Sequence, residues 1–127
     1  MAGIQALVNQ KNGARQGNPN VSYYKLAAKE YGASGSSSCN SSKGNGVAHT
    51  CTFYDVTEGD TDVPCTGSYS CYDSSTGIGV LSATESDFVK AYGTGVGWDS
   101  AMGIGTVNAY NLATNWATLN SAAGPPK

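Results

Sequence analysis

The sequence has little charge, a single histidine and no long apolar run. Asp, Glu, Lys and Arg make up 13% of its 127 residues, the net charge is -2, and the only histidine is His49. Coiled coils and helical bundles are richer in charged residues, and charged disordered tails have a larger net charge. The sequence pI of about 5.1 argues against a nucleic-acid-binding domain, which is usually basic. Because no apolar run approaches about 18 residues, we expect no membrane partner.

What the sequence does contain is glycine, at 17 positions, and many serine, threonine and asparagine residues. The length predicts one small domain over residues 1–127. Its four cysteines are even in number, which in a weakly charged, polar chain predicts disulfides formed in an oxidising compartment. Of the three possible pairings we favour the nearest neighbours, which close short loops: Cys39–Cys51 and Cys65–Cys71. Zinc binding is the weaker alternative, since the sequence has no C-x-x-C spacing and only one histidine.

Two segments in the first third of the chain have the spacing of amphipathic helices. The first begins at the amino terminus without a capping residue and ends at Asn12-Gly13. Its apolar face is formed by Ile4, Leu7 and Val8. The second begins at Asn18 and Pro19, because Asn is a good cap and Pro suits a first turn, and it ends at Gly32. Its apolar positions are Val21, Tyr24, Ala28 and Tyr31.

The rest of the chain predicts one strand, long loops and a last helix. Residues 50–56 are rich in β-branched and aromatic side chains and predict a strand. Residues 57–79 are expected to be irregular, residues 80–90 fit a short strand or a turn, and residues 92–99 form a glycine loop. Asn108 caps the last helix, and Pro125 and Pro126 end the chain. The apolar face of that helix is Ala109, Leu112, Ala113 and Trp116. The pattern predicts an α+β fold of about three helices and few short strands, with long Gly/Ser-rich loops stapled by disulfides.

The sequence singles out no catalytic group. His49 lies in a polar loop and is predicted to be a surface residue, and no G-x-S-x-G motif occurs. The Gly-x-Gly pairs lack the full pattern of a phosphate-binding loop, so we discount nucleotide binding. A hydrolase that uses Ser, Asp or Glu residues of the long loops stays an alternative, although no nucleophile–base pair stands out.

Acidic residues beside glycines suggest a different kind of site. Asp55 closes the predicted strand, and Asp99 follows a glycine loop far along the chain. Calcium prefers a mixture of carboxylate and carbonyl oxygens, and glycine lets carbonyls turn inward. A two-segment calcium site from Asp55 and Val56 with Gly95, Gly97 and Asp99 is therefore chemically sensible. The alternative is that these acidic turn residues are simply solvated.

Several segments, in order along the chain, resemble the carboxy-terminal end of a sedolisin, a member of the serine-carboxyl peptidase family. Residues 2–10 are similar to the helix that follows the nucleophile motif of the family, and residues 17–20 to the entry of the next helix. Residues 53–59 resemble the strand that leads into the family's calcium site, and residues 95–99 and 103–106 its closing calcium loop. Residues 108–116 match the terminal helix.

The resemblance implies that the chain is a fragment of a subtilisin-like α/β fold from an acid-active endopeptidase with one structural calcium. It implies calcium ligation by the side chains of Asp55 and Asp99 and the carbonyls of Val56, Gly95 and Gly97, with water completing the shell. The family's catalytic residues would all lie before Met1, so no residue here inherits a catalytic role. We therefore expect proteolysis from a longer parent, secreted to the extracellular space, and not from this chain, which carries no signal peptide.

The first helix also predicts a partner. In the parent fold it would be buried against a sheet that this sequence lacks. Burial of three side chains such as Ile4, Leu7 and Val8 is worth on the order of 5 kcal/mol, so we expect this exposed face to pair in a homo-oligomer. We expect no nucleic-acid partner. A homodimeric binding or assembly module without a metal is accordingly the alternative to a calcium-binding fragment.

Overall fold

The computed structural model describes residues 1–67, 69–73 and 78–120, of which the side chains of residues 119 and 120 are not described. Three α-helices, one 3-10 helix and five short strands form an α+β structure, as the sequence predicts. The helices are α1 (Ala2–Asn12), α2 (Asn20–Glu30), the 3-10 helix (Ser41–Gly46) and α3 (Ala109–Asn120). The strands are β1 (Phe53–Tyr54), β2 (Pro64–Cys65), β3 (Cys71–Tyr72), β4 (Gly79–Leu81) and β5 (Thr106–Val107).

Helix α1 ends, and helix α3 begins, where the sequence signals predict. Helix α1 ends at Gly13, whose N–H reaches the carbonyls of Asn9 and Gln10. Its φ of 66° turns the chain so that the N–H of Ala14 also reaches the Asn9 carbonyl, at 3.2 Å. The Asn108 side chain accepts the Asn111 N–H at 3.1 Å and so caps α3. Pro125 and Pro126 lie outside the described residues.

The buried face of α2 differs from the predicted one. Val21, Tyr24 and Ala28 are exposed, whereas the core receives Tyr23, Leu26 and Ala27; only Tyr31 is buried as expected. The helix turns this way because the Tyr23 ring makes edge contacts with two core aromatics. Its centroid lies 6.2 Å from that of Phe53 and 5.6 Å from that of Trp116.

The strands form two small antiparallel sheets. In one, β1 pairs with β5, so that Phe53 lies opposite Val107. In the other, β4 lies between β2 and β3. The strand predicted over residues 50–56 is therefore shorter, and residues 57–79, expected to be irregular, contribute β2 and β3. Residues 80–90 contribute the end of β4, and the glycine loop over residues 92–99 has only isolated β-bridge contacts.

Both disulfides join nearest neighbours in the sequence. Cys39 is bonded to Cys51, and Cys65 to Cys71. These are the pairings that the loop lengths favoured. Since both pairs of thiols are used, zinc ligation by cysteine is excluded.

The core lies where α1, α2, α3 and β1 meet. Its buried side chains include Val8, Tyr23, Leu26, Phe53, Leu112 and Trp116. The prediction that Val8 lies on an exposed face is wrong, because α3 packs on α1 and buries Val8 completely, and Ile4 is partly buried against the same cluster. Leu7 alone of the three stays half exposed. None of the described helices is long and apolar enough to cross a membrane.

Candidate metal centre

Asp55 is positioned by the backbone that follows β1. Its N–H donates to the carbonyl of Cys39 at 2.7 Å, and its own carbonyl accepts from the N–H and the hydroxyl of Ser41 at 2.8 and 2.9 Å. Because Cys39 is also half of a disulfide with Cys51, the segment that holds Asp55 is covalently tied two residues before β1. The backbone of Asp55 therefore has little freedom.

The Asp55 carboxylate is buried and only half satisfied. The side chain is 1% exposed. Its Oδ2 accepts the N–H of Gly97 at 2.9 Å, whereas Oδ1 is buried and has no hydrogen-bond partner. A buried carboxylate oxygen needs a donor, a water molecule or a cation, because burial removes its hydration at a large cost in free energy. The arrangement is one that a cation would complete.

Asp99 is the second buried carboxylate, and its own loop wraps around it. Oδ2 accepts the N–H of Gly95 at 2.9 Å, and Oδ1 accepts the N–H groups of Ala101 and Met102 at 2.9 and 2.7 Å. Backbone hydrogen bonds in both directions, each 3.1 Å, also join Asp99 to Gly103. The carboxylate is thereby fixed before any ligand arrives.

The structure joins the two predicted segments through one contact, between Asp55 and Gly97. Gly97 joins Asp55 to the glycine loop across 42 residues of sequence, and Gly95 joins the same loop to Asp99. Val56 follows Asp55 and is half buried. Within the described chain, no hydrogen bond is accepted by the carbonyl oxygen of Val56, Gly95 or Gly97.

Glycine is required where the loop passes α2. Gly97 is buried and has a φ of 82°, a backbone conformation that side chains with a Cβ rarely adopt. A Cβ there would also come within 3.0 Å of the Gly32 carbonyl oxygen. The close approach of the two backbones sets the position from which the Gly97 N–H reaches Asp55.

The negative charge of this region affects the pKa of Tyr31. Its hydroxyl donates to the carbonyl of Ile104 at 2.6 Å. Burial raises the pKa of Tyr31 above its ordinary value, and the charges of Asp55, Glu30 and Asp99 raise it further. Both candidate carboxylates thus act on the same buried ring.

A polar cavity of about 230 Å³ lies beside Asp55. Its walls include Ser34, Ser36, Asn40 and Thr57, and Lys43 is the charged side chain at its edge. The hydroxyl and amide groups of this cavity can form hydrogen bonds with water or with a hydrated ion. It gives the buried carboxylate a polar approach from solvent.

The donor set selects the kind of ion that fits. In the described part of the chain, no group of three or more His, Cys, Asp or Glu side chains could hold a metal ion. The five residues expected from the sequence offer only oxygen atoms, and among them the buried Oδ1 of Asp55 has no hydrogen-bond partner in the described structure. Such a set suits calcium and not zinc.

Outside the candidate site, His49 lies on the surface as the sequence predicts, whereas two residues that the sequence did not mark have structural roles. His49 is exposed, and its backbone carbonyl accepts from the Asn111 side chain at 2.7 Å. Glu30, which no sequence signal marked, accepts the N–H groups of Thr52 and Phe53 and so fixes the start of β1. Ser41, equally unmarked, holds the carbonyl of Asp55. Both act across more than a dozen residues, where local patterns carry no information.

Comparisons with known family models, characterised proteins and solved structures gave no match for this chain.

Proposed function

We propose that this chain is a non-catalytic, calcium-binding, carboxy-terminal part of a sedolisin-like serine-carboxyl endopeptidase. The observation that carries the calcium site is the buried carboxylate of Asp55, whose Oδ1 has no partner and whose Oδ2 accepts the N–H of Gly97 in the glycine loop. The peptidase origin rests on the ordered motifs in the sequence, from residues 2–10 to residues 108–116. The proposal that the α+β fold is a piece of a subtilisin-like α/β fold rests on the same motifs.

In this proposal Asp55 and Asp99 contribute carboxylate oxygens, and Val56, Gly95 and Gly97 contribute carbonyl oxygens. When bound, the ion supplies positive charge to two buried carboxylates and joins the segment after β1 to the loop before β5. Its role is structural, because the surrounding groups are backbone amides and hydroxyls. The residues of this chain hold the glycine loop against the segment that follows β1.

Calcium titration of matched variants tests the metal site. We expect calcium to raise the melting temperature by several degrees, because an ion that binds only the folded state stabilises it by mass action. Asp55→Asn removes the charge of the orphaned oxygen and should abolish both the shift and the calorimetric binding signal. Asp87→Asn is the charge-matched control, since Asp87 is exposed and its carboxylate accepts from the Ser86 hydroxyl, outside both segments of the site.

Two results would contradict the proposal. Unchanged melting temperature in excess calcium and in chelator, with no calorimetric binding, would remove the calcium site. Proteolysis at acid pH that stays with the chain through purification would remove the non-catalytic part. The two measurements are independent, so either part can fail alone.

The second candidate function is a homodimeric assembly module. It is favoured by the apolar side chains that the described fold leaves exposed, among them Leu7, Tyr24 and Trp98. The predicted interface through Ile4, Leu7 and Val8 has lost Val8 to the core. For a homodimer we therefore expect an interface elsewhere on the molecule.

A further inference from the structure

The sequence contains two Asn-Gly pairs, Asn12-Gly13 and Asn45-Gly46. Such a pair can modify itself, because the backbone nitrogen of the glycine can attack the side-chain amide of the asparagine. Glycine has no Cβ to hinder the attack, and its backbone has the freedom that ring closure needs. The rate in a folded chain depends on whether both reacting groups are free to meet. The two pairs differ in this respect.

The first pair is held at the end of α1. The Asn12 side-chain amide donates to the carbonyl of Val8 at 2.8 Å. The Gly13 nitrogen, which would have to attack, donates its N–H to the carbonyls of Asn9 and Gln10. Both reacting groups are therefore engaged in hydrogen bonds, and a reaction there has to wait until the end of the helix opens.

The second pair is exposed at the end of the 3-10 helix. None of the described residues is hydrogen-bonded to the Asn45 side chain. A Cβ on Gly44 would meet no atom within 4 Å, and a Cβ on Gly46 would meet only the Lys43 Cβ, at 3.9 Å. The space on both sides of Asn45 is therefore open, and its amide can turn toward the Gly46 nitrogen.

The backbone around the second pair is weakly held. The 3-10 helix is interrupted at Gly44, whose φ of 57° and ψ of -127° are not helical. Its closing hydrogen bond, from the Val47 N–H to the Gly44 carbonyl, is 3.4 Å long. Hydrogen bonds of a 3-10 helix have poorer geometry than those of an α-helix, and exposed turns open locally at small cost. The Gly46 nitrogen is therefore reached more readily than the Gly13 nitrogen.

We propose that Asn45 is a site of spontaneous deamidation. The Gly46 nitrogen loses its proton to hydroxide and attacks Cγ of Asn45, so that a new C–N bond forms. The side-chain nitrogen takes a proton from water and leaves as ammonia, which restores the hydroxide. A second water then opens the cyclic succinimide. Opening at Cγ leaves an aspartate at position 45, and opening at the backbone carbonyl leaves isoaspartate, in which the chain runs through the former side chain.

The modification changes the charge of the 3-10 helix. This helix carries the positive charge of Lys43, and the product places a carboxylate beside it at position 45. The net charge of the chain becomes one unit more negative than -2. The hydrogen bonds from Ser41 to the Asp55 carbonyl lie at the other end of the helix, so we expect the fold to tolerate the product. The inference does not rest on the calcium site or on the peptidase origin.

Peptide mapping by mass spectrometry of the full, disulfide-bonded chain tests the site. After incubation in mildly alkaline buffer, the peptide with Asn45 should gain the mass difference between an amide and a carboxylic acid. We expect a rate at least tenfold higher than for the peptide with Asn12. Isoelectric focusing should show a more acidic band, and a protein isoaspartyl methyltransferase should methylate the product. In the reduced, urea-unfolded chain the two pairs should react at similar rates, because the hydrogen bonds of the fold are absent.

Two variants and a control identify the reacting groups. Gly46→Ala should slow the reaction at Asn45 at least tenfold, and it should fold, because the added Cβ makes only an ordinary contact. Gly3→Ala is the matched control and should leave the rate unchanged, since Gly3 lies in α1 with open space around its Cβ position. Asn45→Gln keeps an amide but would need a larger, less favourable ring, so it should remove the isoaspartate.

Three results would overturn the inference. The first is no gain of mass at Asn45 in the folded chain. The second is an equal rate at Asn45 and Asn12 in the folded chain, which would show that the hydrogen bonds at the end of α1 protect nothing. The third is a Gly46→Ala variant that reacts as fast as the unsubstituted chain, because the Gly46 nitrogen would then not be the attacking group.

Discussion

At the scale of single residues, the carboxylate of Glu30 decides where β1 begins. It lies at the end of α2 and accepts the N–H groups of Thr52 and Phe53, the latter at 2.7 Å. These N–H groups are thereby satisfied by a side chain and not by a neighbouring strand. The strand that the sequence predicts from residue 50 is shortened for this reason.

Glu30→Gln should destabilise the fold by roughly 2 kcal/mol. Of the two charge-assisted hydrogen bonds to buried backbone, one becomes weaker and the other loses its acceptor. Urea unfolding followed by fluorescence measures the change. Glu58→Gln is the control, since Glu58 is an exposed residue of the following loop. Equal stability of the two variants would show that the Glu30 bonds contribute nothing net.

At the scale of secondary-structure elements, the pairing of β1 with β5 depends on Gly105, the residue that directly precedes β5. A Cβ on Gly105 would come within 2.0 Å of the Tyr54 carbonyl oxygen, and the residue has a φ of 77°. The strands can pair only because this position has no side chain. The Asp55 backbone, one residue after β1, shares the same approach.

Gly105→Ala should therefore cost more than about 3 kcal/mol of unfolding free energy, combining backbone strain with a collision that neither strand can relieve. Gly17→Ala separates the two effects. Gly17 has a φ of 66° but open space around its Cβ position, so its substitution measures the strain alone. Equal losses of unfolding free energy in the two variants would contradict this prediction, because they would show that the contact between Gly105 and Tyr54 adapts to a Cβ at no cost.

The elements differ in how far the sequence predicts them. Helices α1 and α3 end or begin at Gly13 and Asn108, which are local signals that act within a few residues. The buried face of α2 could not be predicted in the same way. Both of its faces have helical spacing, and the choice depends on aromatic contacts with distant parts of the chain.

The candidate site shows the same division. Its five proposed ligands could be named from residue types and spacing, because oxygen-rich loops with glycine are local features. The structure adds that Asp55 and Gly97 meet, and that one carboxylate oxygen stays unpaired. The supports of the site, such as the Ser41 contact and the tie through Cys39, come from tertiary contacts and have no sequence signal.

At the scale of the whole molecule, the two disulfides serve different regions. Cys39–Cys51 borders the core and holds the segment that hydrogen-bonds to Asp55. Cys65–Cys71 connects β2 and β3 of the three-stranded sheet, which is outside the main hydrophobic cluster. The first disulfide therefore supports the core and the candidate site together, and the second supports the sheet.

Removing each disulfide by paired serine substitution should separate these roles. Loss of Cys39–Cys51 should cost about 3 kcal/mol, because it closes the longer loop, and should weaken calcium binding at least tenfold. Loss of Cys65–Cys71 should leave calcium binding unchanged and increase amide hydrogen exchange in the three-stranded sheet. Calorimetry and exchange measure the two effects. Equal loss of calcium affinity in both variants would contradict the division of roles.

The position of Trp98 has an optical consequence. It stands in the chain between Gly97 and Asp99, two of the proposed ligands. Terbium takes oxygen ligands much as calcium does, and an excited indole close to it passes on its energy, which the lanthanide emits as long-lived green luminescence. If the proposed site binds terbium, excitation of Trp98 should therefore produce this luminescence, and its intensity would measure occupancy without an attached dye.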